Sequence, residues 1–499
     1  MHNFIFYIFL VWLSCLSDLT VMCYKIPEVK LDVLPNGFRV SIPHEPGIEN
    51  VAFNINRNRP FKAFEPGEYS HRIRTQINNL WFFETQRRLQ DDDTIYVWTD
   101  VQFNKSRYRD MSTPIAVNYA LRGQASQSGA STIPPMNAVS QVPQSVNEIA
   151  PTTTTEEPPT IDQRNDKCEP SLTTIHNRKV CRGQLIFEEN FDGDQLDASR
   201  WRYEVRLPLD IADAEFVLYD TNAELSNGLL KIEPRLWGND SPNADIQKGD
   251  LNLGARCTAY QNPEVECQRH PFGRVVLPPV LSARINTKHA FSFKYGRVEV
   301  RAKLPQGDWL FPLLLLEPLV NYYGQQPYAS GQMRIAFLRS NLNLQTGSGV
   351  EVGGRVLHGG AVLCAESNNR DKFMVNTSRG AHFGESFHIY SLTWNDRLLS
   401  LDVDGQNYGT VEGGYAQIVN DFNNAWANGN YMAPFDQEFF ITLGVAAGGH
   451  GDFPDEYSSK PWVNSSPKAA LYFWRDRHNW KSTWISPALQ VDYVRVYAI

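Results

Sequence analysis

The sequence predicts an all-β protein in two folded parts: a small N-terminal immunoglobulin-like β-sandwich and a large C-terminal β-jelly-roll sandwich, separated by a disordered linker. Three observations carry this expectation. Short runs alternating apolar with polar residues recur along most of the 499-residue chain, the period of a half-buried strand. Sustained helical periodicity is nearly absent. Between residues 123 and 167 the composition shifts to Ser, Thr, Pro and Gln, ending in APTTTTEEPPTID; such a stretch cannot bury enough apolar surface to offset its chain entropy.

Residues 1–23 carry an apolar run from Phe4 to Leu13, interrupted by Ser14, Ser17 and Asp18. That is about half of the roughly 20 apolar residues a spanning helix needs, and it has the layout of a secretory signal peptide. Cleavage is expected before Tyr24, or after Ser17. The end of the chain, VDYVRVYAI, lacks the hydrophobic tail of a lipid-anchor signal. The expected location is extracellular, in a hemolymph-like fluid, with no membrane span.

Residues 24–122 form the first module. FRVSI, VAFNI, LWFF and TIYVW alternate, and turn-rich pieces such as PHEPG and FEPGE separate them, as in a small antiparallel sandwich. Residues 123–167 are the Ser/Thr/Pro-rich linker, and a flexible coil of about 45 residues spans on the order of 35–40 Å. Residues 168–499 contain LIFEENF, YGRVEVRAKL, HIYSLTW, LLSLDVDG, FFITLGV and LQVDYVRVYAI. Asp404-Gly405 between alternating runs is a hairpin signal, because both turn positions tolerate positive φ.

A net charge of −8 and a pI near 5.8 exclude a nucleic-acid binder, whose affinity rests on cations that neutralise phosphates. Beyond the leader, five cysteines remain. Close spacing favours pairing Cys168 with Cys181 and Cys257 with Cys267, as suits an exported chain; Cys364 is then left over, either buried or available for an intermolecular link. No Cys or His spacing fits a metal site, and no cofactor is expected. Asn104, Asn239, Asn376 and Asn464 each open an N-x-S/T sequon and are glycosylation candidates.

Four segments, YGRVEVRAKLPQGDWLFPLLLLEP, HIYSLTWNDRLLSLDVDG, ITLGVAAGG and VDYVRVY, resemble consecutive parts of glycoside hydrolase family 16, the concanavalin A-like β-1,3-glucanase sandwich. The first module, from YKIPEVKLDVLPNGFRVSIP through TIYVWT, resembles the glucan-binding module of insect recognition proteins. Together they resemble the insect Gram-negative bacteria-binding protein and β-1,3-glucan recognition protein family.

Enzymes of the hydrolase family carry E-x-D-x-x-E on one strand. A retaining glycosidase needs a nucleophilic carboxylate and an acid/base carboxyl about 5–5.5 Å apart, and one bulge in the strand brings all three acids to a single face. Laid over that pattern, SGQMRIAFL offers Gln332 for the nucleophile, Arg334 for the central Asp and Phe337 for the acid. Without the bulge the last position becomes Ala336. The resemblance therefore implies a degenerate site with no catalytic residue. Displaced acids would have to come from Glu317, Asp308 or Glu351.

The resemblance also implies glycan binding. In the first module the candidates are Trp81 and Tyr69 for stacking and Arg72, Arg87 and Arg88 for donating to sugar hydroxyls; the acidic pair after SIP in the family reads His44-Glu45 here. In the second domain Trp309, Tyr322 and Tyr323, with Gln332 and Arg334, are candidates near the old site. The favoured reading is a secreted, non-catalytic pattern-recognition protein of innate immunity. It would bind β-1,3-glucan or other microbial cell-wall glycan and promote a Toll or prophenoloxidase-type protease cascade. A peptidoglycan recognition protein and a modular serine protease are the partners the resemblance implies. The alternatives are a secreted β-1,3-glucanase using displaced carboxylates and an extracellular adhesion protein.

Overall fold

A computed structural model describes residues 24–117 and 168–499, apart from short stretches at 25, 35–36, 62–66, 104–105, 112–113, 209–213, 239–240, 242, 260–262, 325–326, 364, 366–369 and 419–422. The stretches read from sequence as leader (1–23) and linker (123–167), and Asn104, Asn239 and Cys364, lie outside the described residues.

The first module packs two antiparallel sheets. Lys30–Leu34, Gly37–Pro43 and Leu80–Thr85 form one; Tyr69–Ile73, Ile48–Arg57, Thr94–Phe103 and Ser106–Met111 form the other, with Ile115–Ala116 beside Thr94–Phe103. Alternation fixes the faces. Phe38, Val40 and Ile42 of one sheet and Val51, Phe53, Ile55, Ile95, Val97 and Val101 of the other meet in one apolar core. Each large aliphatic or aromatic side chain fully buried there stabilises by about 1.5–3 kcal/mol.

The second domain is a sandwich of a seven-stranded and an eight-stranded sheet. The eight-stranded sheet runs Ala223–Ser226, Leu229–Ile232, Leu489–Tyr497, Gly296–Lys303, His388–Trp394, Leu398–Val403 and Gln406–Glu412, and Leu185–Glu189 also pairs with Leu489–Tyr497. The seven-stranded sheet runs Arg202–Tyr203, Arg284–Asn286, Phe439–Ala447, Leu310–Pro318, Gln332–Phe337, Val356–Val362 and Phe373–Ser378. Asp404 and Gly405 adopt φ of 50° and 77°, the left-handed turn that the hairpin between Leu398–Val403 and Gln406–Glu412 requires.

The central strands of the seven-stranded sheet are buried on both faces: every residue of Phe439–Ala447 and of Gln332–Phe337 is buried. Their outer face is thus covered, and it is there that polar side chains need partners. Disulfides join Cys168 to Cys181 and Cys257 to Cys267.

Candidate functional site

Gln332–Phe337 is the strand onto which the resemblance would lay the hydrolase pattern, and it pairs with Leu310–Pro318 and Val356–Val362. Leu315 lies opposite Arg334 and Leu314 opposite Ala336, so the strand carries one extra residue, Ile335. This bulge rotates the following residues by one position. Arg334 and Phe337 then share a face, with the guanidinium 4.2 Å from the ring centroid. Met333 and Ile335 are buried in the core.

Arg334 is held by an acid from a distant loop. Its Nη1 donates to Asp452 Oδ1 at 2.7 Å and its Nη2 to Oδ2 at 3.2 Å. Arg370 Nε donates to the same Oδ1 at 3.0 Å, and Arg339 Nε to the Asp452 carbonyl at 2.6 Å. Arg339 in turn pairs with Asp371 at 2.7 Å. Burial alone would raise the Asp452 carboxyl, but Arg334 and Arg370 overcome it and hold the group well below the usual carboxylate range. Beside Phe337, burial pushes the His358 imidazole down to about 4, so it is neutral at physiological pH.

Of the three displaced acids, Glu317 alone lines the recess beside Gln332 and Arg334. Glu317 accepts from Arg284 Nη2 at 2.5 and 2.6 Å and from Thr442 Oγ1 at 2.5 Å. Burial raises Asp308 to about 6, against hydrogen bonds from Leu342, Thr483 and Asn341, an acidity suited to proton transfer. Asp308 is absent from the residues lining the recess beside Gln332 and Arg334, and so is Glu351, whose carboxylate accepts the Gly353 N–H at 2.9 Å. That recess has a volume of about 210 Å³. Phe311, Leu313, Leu315 and Glu317, alternate residues of one strand, wall it beside Gln332 and Arg334.

Three expected stacking residues are core residues instead. Trp309 is 3% exposed and lies edge-on to Phe453 and Trp462. Tyr323 is 6% exposed and donates its hydroxyl to Asp436 Oδ1 at 2.6 Å. Trp81 is 3% exposed, with its Nε1 donating to His44 Nδ1 at 3.1 Å. In each, the apolar ring area gains more from the core than a solvent-facing platform would give. Tyr322, by contrast, is 64% exposed, its ring edge-on to Tyr323.

The other first-module candidates lie at the surface. Tyr69 is half-buried against Phe38 and Phe83. Arg72 is exposed and donates to Asn50 Oδ1 at 2.6 Å, Arg87 pairs with Glu68 at 3.1 Å, and Arg88 is exposed. Among the sequons, Asn376 is exposed on the edge strand Phe373–Ser378. Asn464 is half-buried, and its Nδ2 donates to the His450 and Phe453 carbonyls at 2.9 and 3.0 Å.

The sequence reading missed Asp452, Arg370, Arg339 and Asp371. A cation in the middle of an apolar strand signals that a buried acid must exist, but nothing local says which one.

Comparison with known proteins places the chain. Gram-negative bacteria-binding protein 1 of Drosophila melanogaster is 42% identical over 492 residues, which span 95% of this chain and 96% of that protein. The chain belongs to the family of Gram-negative bacteria-binding and β-1,3-glucan-binding proteins. Within this family, β-1,3-glucan-binding protein 2 of Manduca sexta is 36% identical over 488 residues, 95% of each chain. The CBM39 family, described as a carbohydrate binding domain (family 32), matches residues 25–144 of this family member. Among solved structures, the laminarinase catalytic domain from Thermotoga maritima aligns with 63% of this chain and 98% of its own, at 23% identity and a TM-score of 0.40. No helix among the described residues is long and apolar enough to cross a membrane.

Proposed function

We propose that this chain is a secreted, non-catalytic recognition protein that binds microbial surface polysaccharide, β-1,3-glucan or other bacterial cell-wall components, and passes the event to a serine-protease cascade. The observation that carries the reading is the shared face of Gln332, Arg334 and Phe337, fixed by the strand bulge and by the Arg334 guanidinium over the Phe337 ring. Gln cannot form a glycosyl ester and Phe cannot protonate a leaving oxygen. A cation at the centre opposes the positive charge that develops on the sugar ring in the transition state. Every carboxylate whose partners are described around the recess is matched by a guanidinium, as Asp452 and Glu317 are.

Polysaccharide capture belongs to the first module in this reading, supported by the carbohydrate-binding family match over residues 25–144 and by the names of the relatives. The apolar run Phe4–Leu13 supports export. A peptidoglycan recognition protein and a modular serine protease are the proposed partners. The test is sedimentation of the full chain with insoluble curdlan, with peptidoglycan and with lipopolysaccharide-bearing cells. Saturable co-sedimentation with at least one is expected, and sedimentation with none would contradict the reading.

A further inference from the structure

The edge strand Phe373–Ser378 of one sheet connects to His388–Trp394 of the other, and where that connection ends a serine, a histidine and an aspartate meet. Ser386 Oγ lies 3.0 Å from His388 Nε2, and His388 Nδ1 lies 2.6 Å from Asp404 Oδ2. These are the two contacts, nucleophile to base and base to orienting acid, that activate a serine hydroxyl. Ser386 and His388 are two positions apart in the chain. Asp404 comes from the tip of the hairpin between Leu398–Val403 and Gln406–Glu412, whose left-handed turn at Asp404 and Gly405 folds the carboxylate back onto His388–Trp394.

Each member is held in a defined state. Arg379 Nη1 also reaches His388 Nε2, at 2.9 Å. A guanidinium donates and never accepts, so Nε2 is the unprotonated nitrogen and the ring's single proton sits on Nδ1, facing Asp404. That is the tautomer a base for the Ser386 hydroxyl must have. Asp404 is anchored in turn, its Oδ1 accepting the Ile389 N–H at 2.9 Å. Arg379 is fixed as well. Its Nε donates to the Ala381 carbonyl at 3.0 Å, its Nη2 to that of His382 at 2.5 Å, and its guanidinium lies 4.4 Å from the Phe383 ring centroid. His388 is 9% exposed whereas Ser386 is exposed, so the base is shielded from water and the nucleophile is open to a substrate.

We propose that Ser386, His388 and Asp404 form an ester-hydrolysing site, with Arg379 as the donor to the oxyanion. Ser386 Oγ attacks the carbonyl carbon of an ester, and its proton passes to His388 Nε2. The imidazolium is balanced by Asp404, and the negative oxygen of the tetrahedral intermediate by Arg379, whose Nη1 stands beside the same Nε2. The bond to the alcohol then breaks, and the leaving oxygen takes the proton from Nε2. Water, giving a proton to that nitrogen, attacks the acyl-serine and releases the acid, and Ser386 Oγ recovers its proton. Ser386 stands at the surface and outside the recess beside Gln332, a position that admits a large alcohol but offers little apolar surface to a long acyl chain. The substrate class that fits is an O-acetyl ester carried on a polysaccharide. The choice of alcohol rests on the polysaccharide-binding reading; the chemistry of the serine does not. Glycosidic bonds are left intact.

The experiment treats the full chain with a fluorophosphonate, which phosphonylates activated serine hydroxyls, and maps the adduct by peptide mass spectrometry. In parallel it follows p-nitrophenol release from p-nitrophenyl acetate and acetate release from an O-acetylated glucan. An adduct at Ser386 and release from both esters are expected. Ser386→Ala, at an exposed position, is expected to melt like the parent and to lower both rates on the order of a hundredfold. His388→Gln is expected to slow the labelling of Ser386 by a similar factor, an effect that a contact serving only to pin the turn would not have; if this buried variant does not melt like the parent, Ser386→Ala decides the matter. The proposal is overturned if Ser386 stays unlabelled, or if Ser386→Ala hydrolyses p-nitrophenyl acetate as the parent does. Hydrolysis of p-nitrophenyl acetate without release from the glucan overturns the assigned substrate class. Ser386-dependent hydrolysis by a chain that sediments with no polymer would instead sink the polymer-recognition reading while leaving the serine site standing.

Discussion

Arg334 and Asp452 form a two-pronged ion pair, at 2.7 and 3.2 Å, in which the side chains are only 2% and 3% exposed. Two ions taken out of water gain little net stability when paired, but removing one strands the other. Asp452 also answers Arg370. Asp452→Ala should therefore cost about 3–5 kcal/mol, whereas Arg334→Met should cost distinctly less, because Asp452 keeps Arg370. Urea unfolding of the full chain, followed by tryptophan fluorescence, checks the order.

Returning two acids should not return catalysis. In Gln332→Glu with Phe337→Glu, both new carboxyls would lie beside Arg334, and the second also beside Arg339, whose guanidinium is 5.2 Å from the Phe337 ring. A neighbouring cation lowers a carboxyl's affinity for its proton and leaves no general acid at neutral pH. The double variant should release no more reducing sugar from laminarin than the parent.

Trp81 should behave as a core residue. Trp81→Ala removes a ring that is 3% exposed and its bond to His44, and should cost about 3–5 kcal/mol. The readout is a lower denaturation midpoint for the first module. Loss of glucan capture with an unchanged midpoint would return Trp81 to the ligand surface.

The pH dependence of stability has a definite sign at His358. Burial, with help from Arg339 and Arg334, lowers its folded value from 6.5 to about 4. Between those values the unfolded chain binds the extra proton, so stability is lost as pH falls from 6.5 towards 4. Relative to His358→Gln, the parent should lose on the order of 2 kcal/mol between pH 7 and pH 5, measured by denaturant unfolding at each pH.

Glycan mapping separates two sequons. Asn376 faces solvent on an edge strand, while the Asn464 amide nitrogen donates to two carbonyls. Protein secreted from insect cells should carry glycan at Asn376 and none at Asn464, read by peptide mass spectrometry.

Much of the architecture was legible because strands announce themselves by period. FRVSI, VAFNI and TIYVW fall within the strands Gly37–Pro43, Ile48–Arg57 and Thr94–Phe103, and Asp404-Gly405 makes the left-handed turn its residue types favour. The degenerate strand was legible for a different reason: side-chain chemistry at three spaced positions needs no tertiary information. What sequence could not supply was partnership. Whether an aromatic ring packs inward or faces a ligand depends on the sheet above it, which is why Trp81, Trp309 and Tyr323 read as platforms and proved to be core. Asp452, 118 residues beyond Arg334, could be inferred to exist but not located.

The most direct test of the central claim is a reducing-end assay on the purified full chain with laminarin. Release no greater than in a protein-free blank is the expected result. Release that exceeds the blank, scales with protein concentration and disappears on replacing a single Asp or Glu would contradict it.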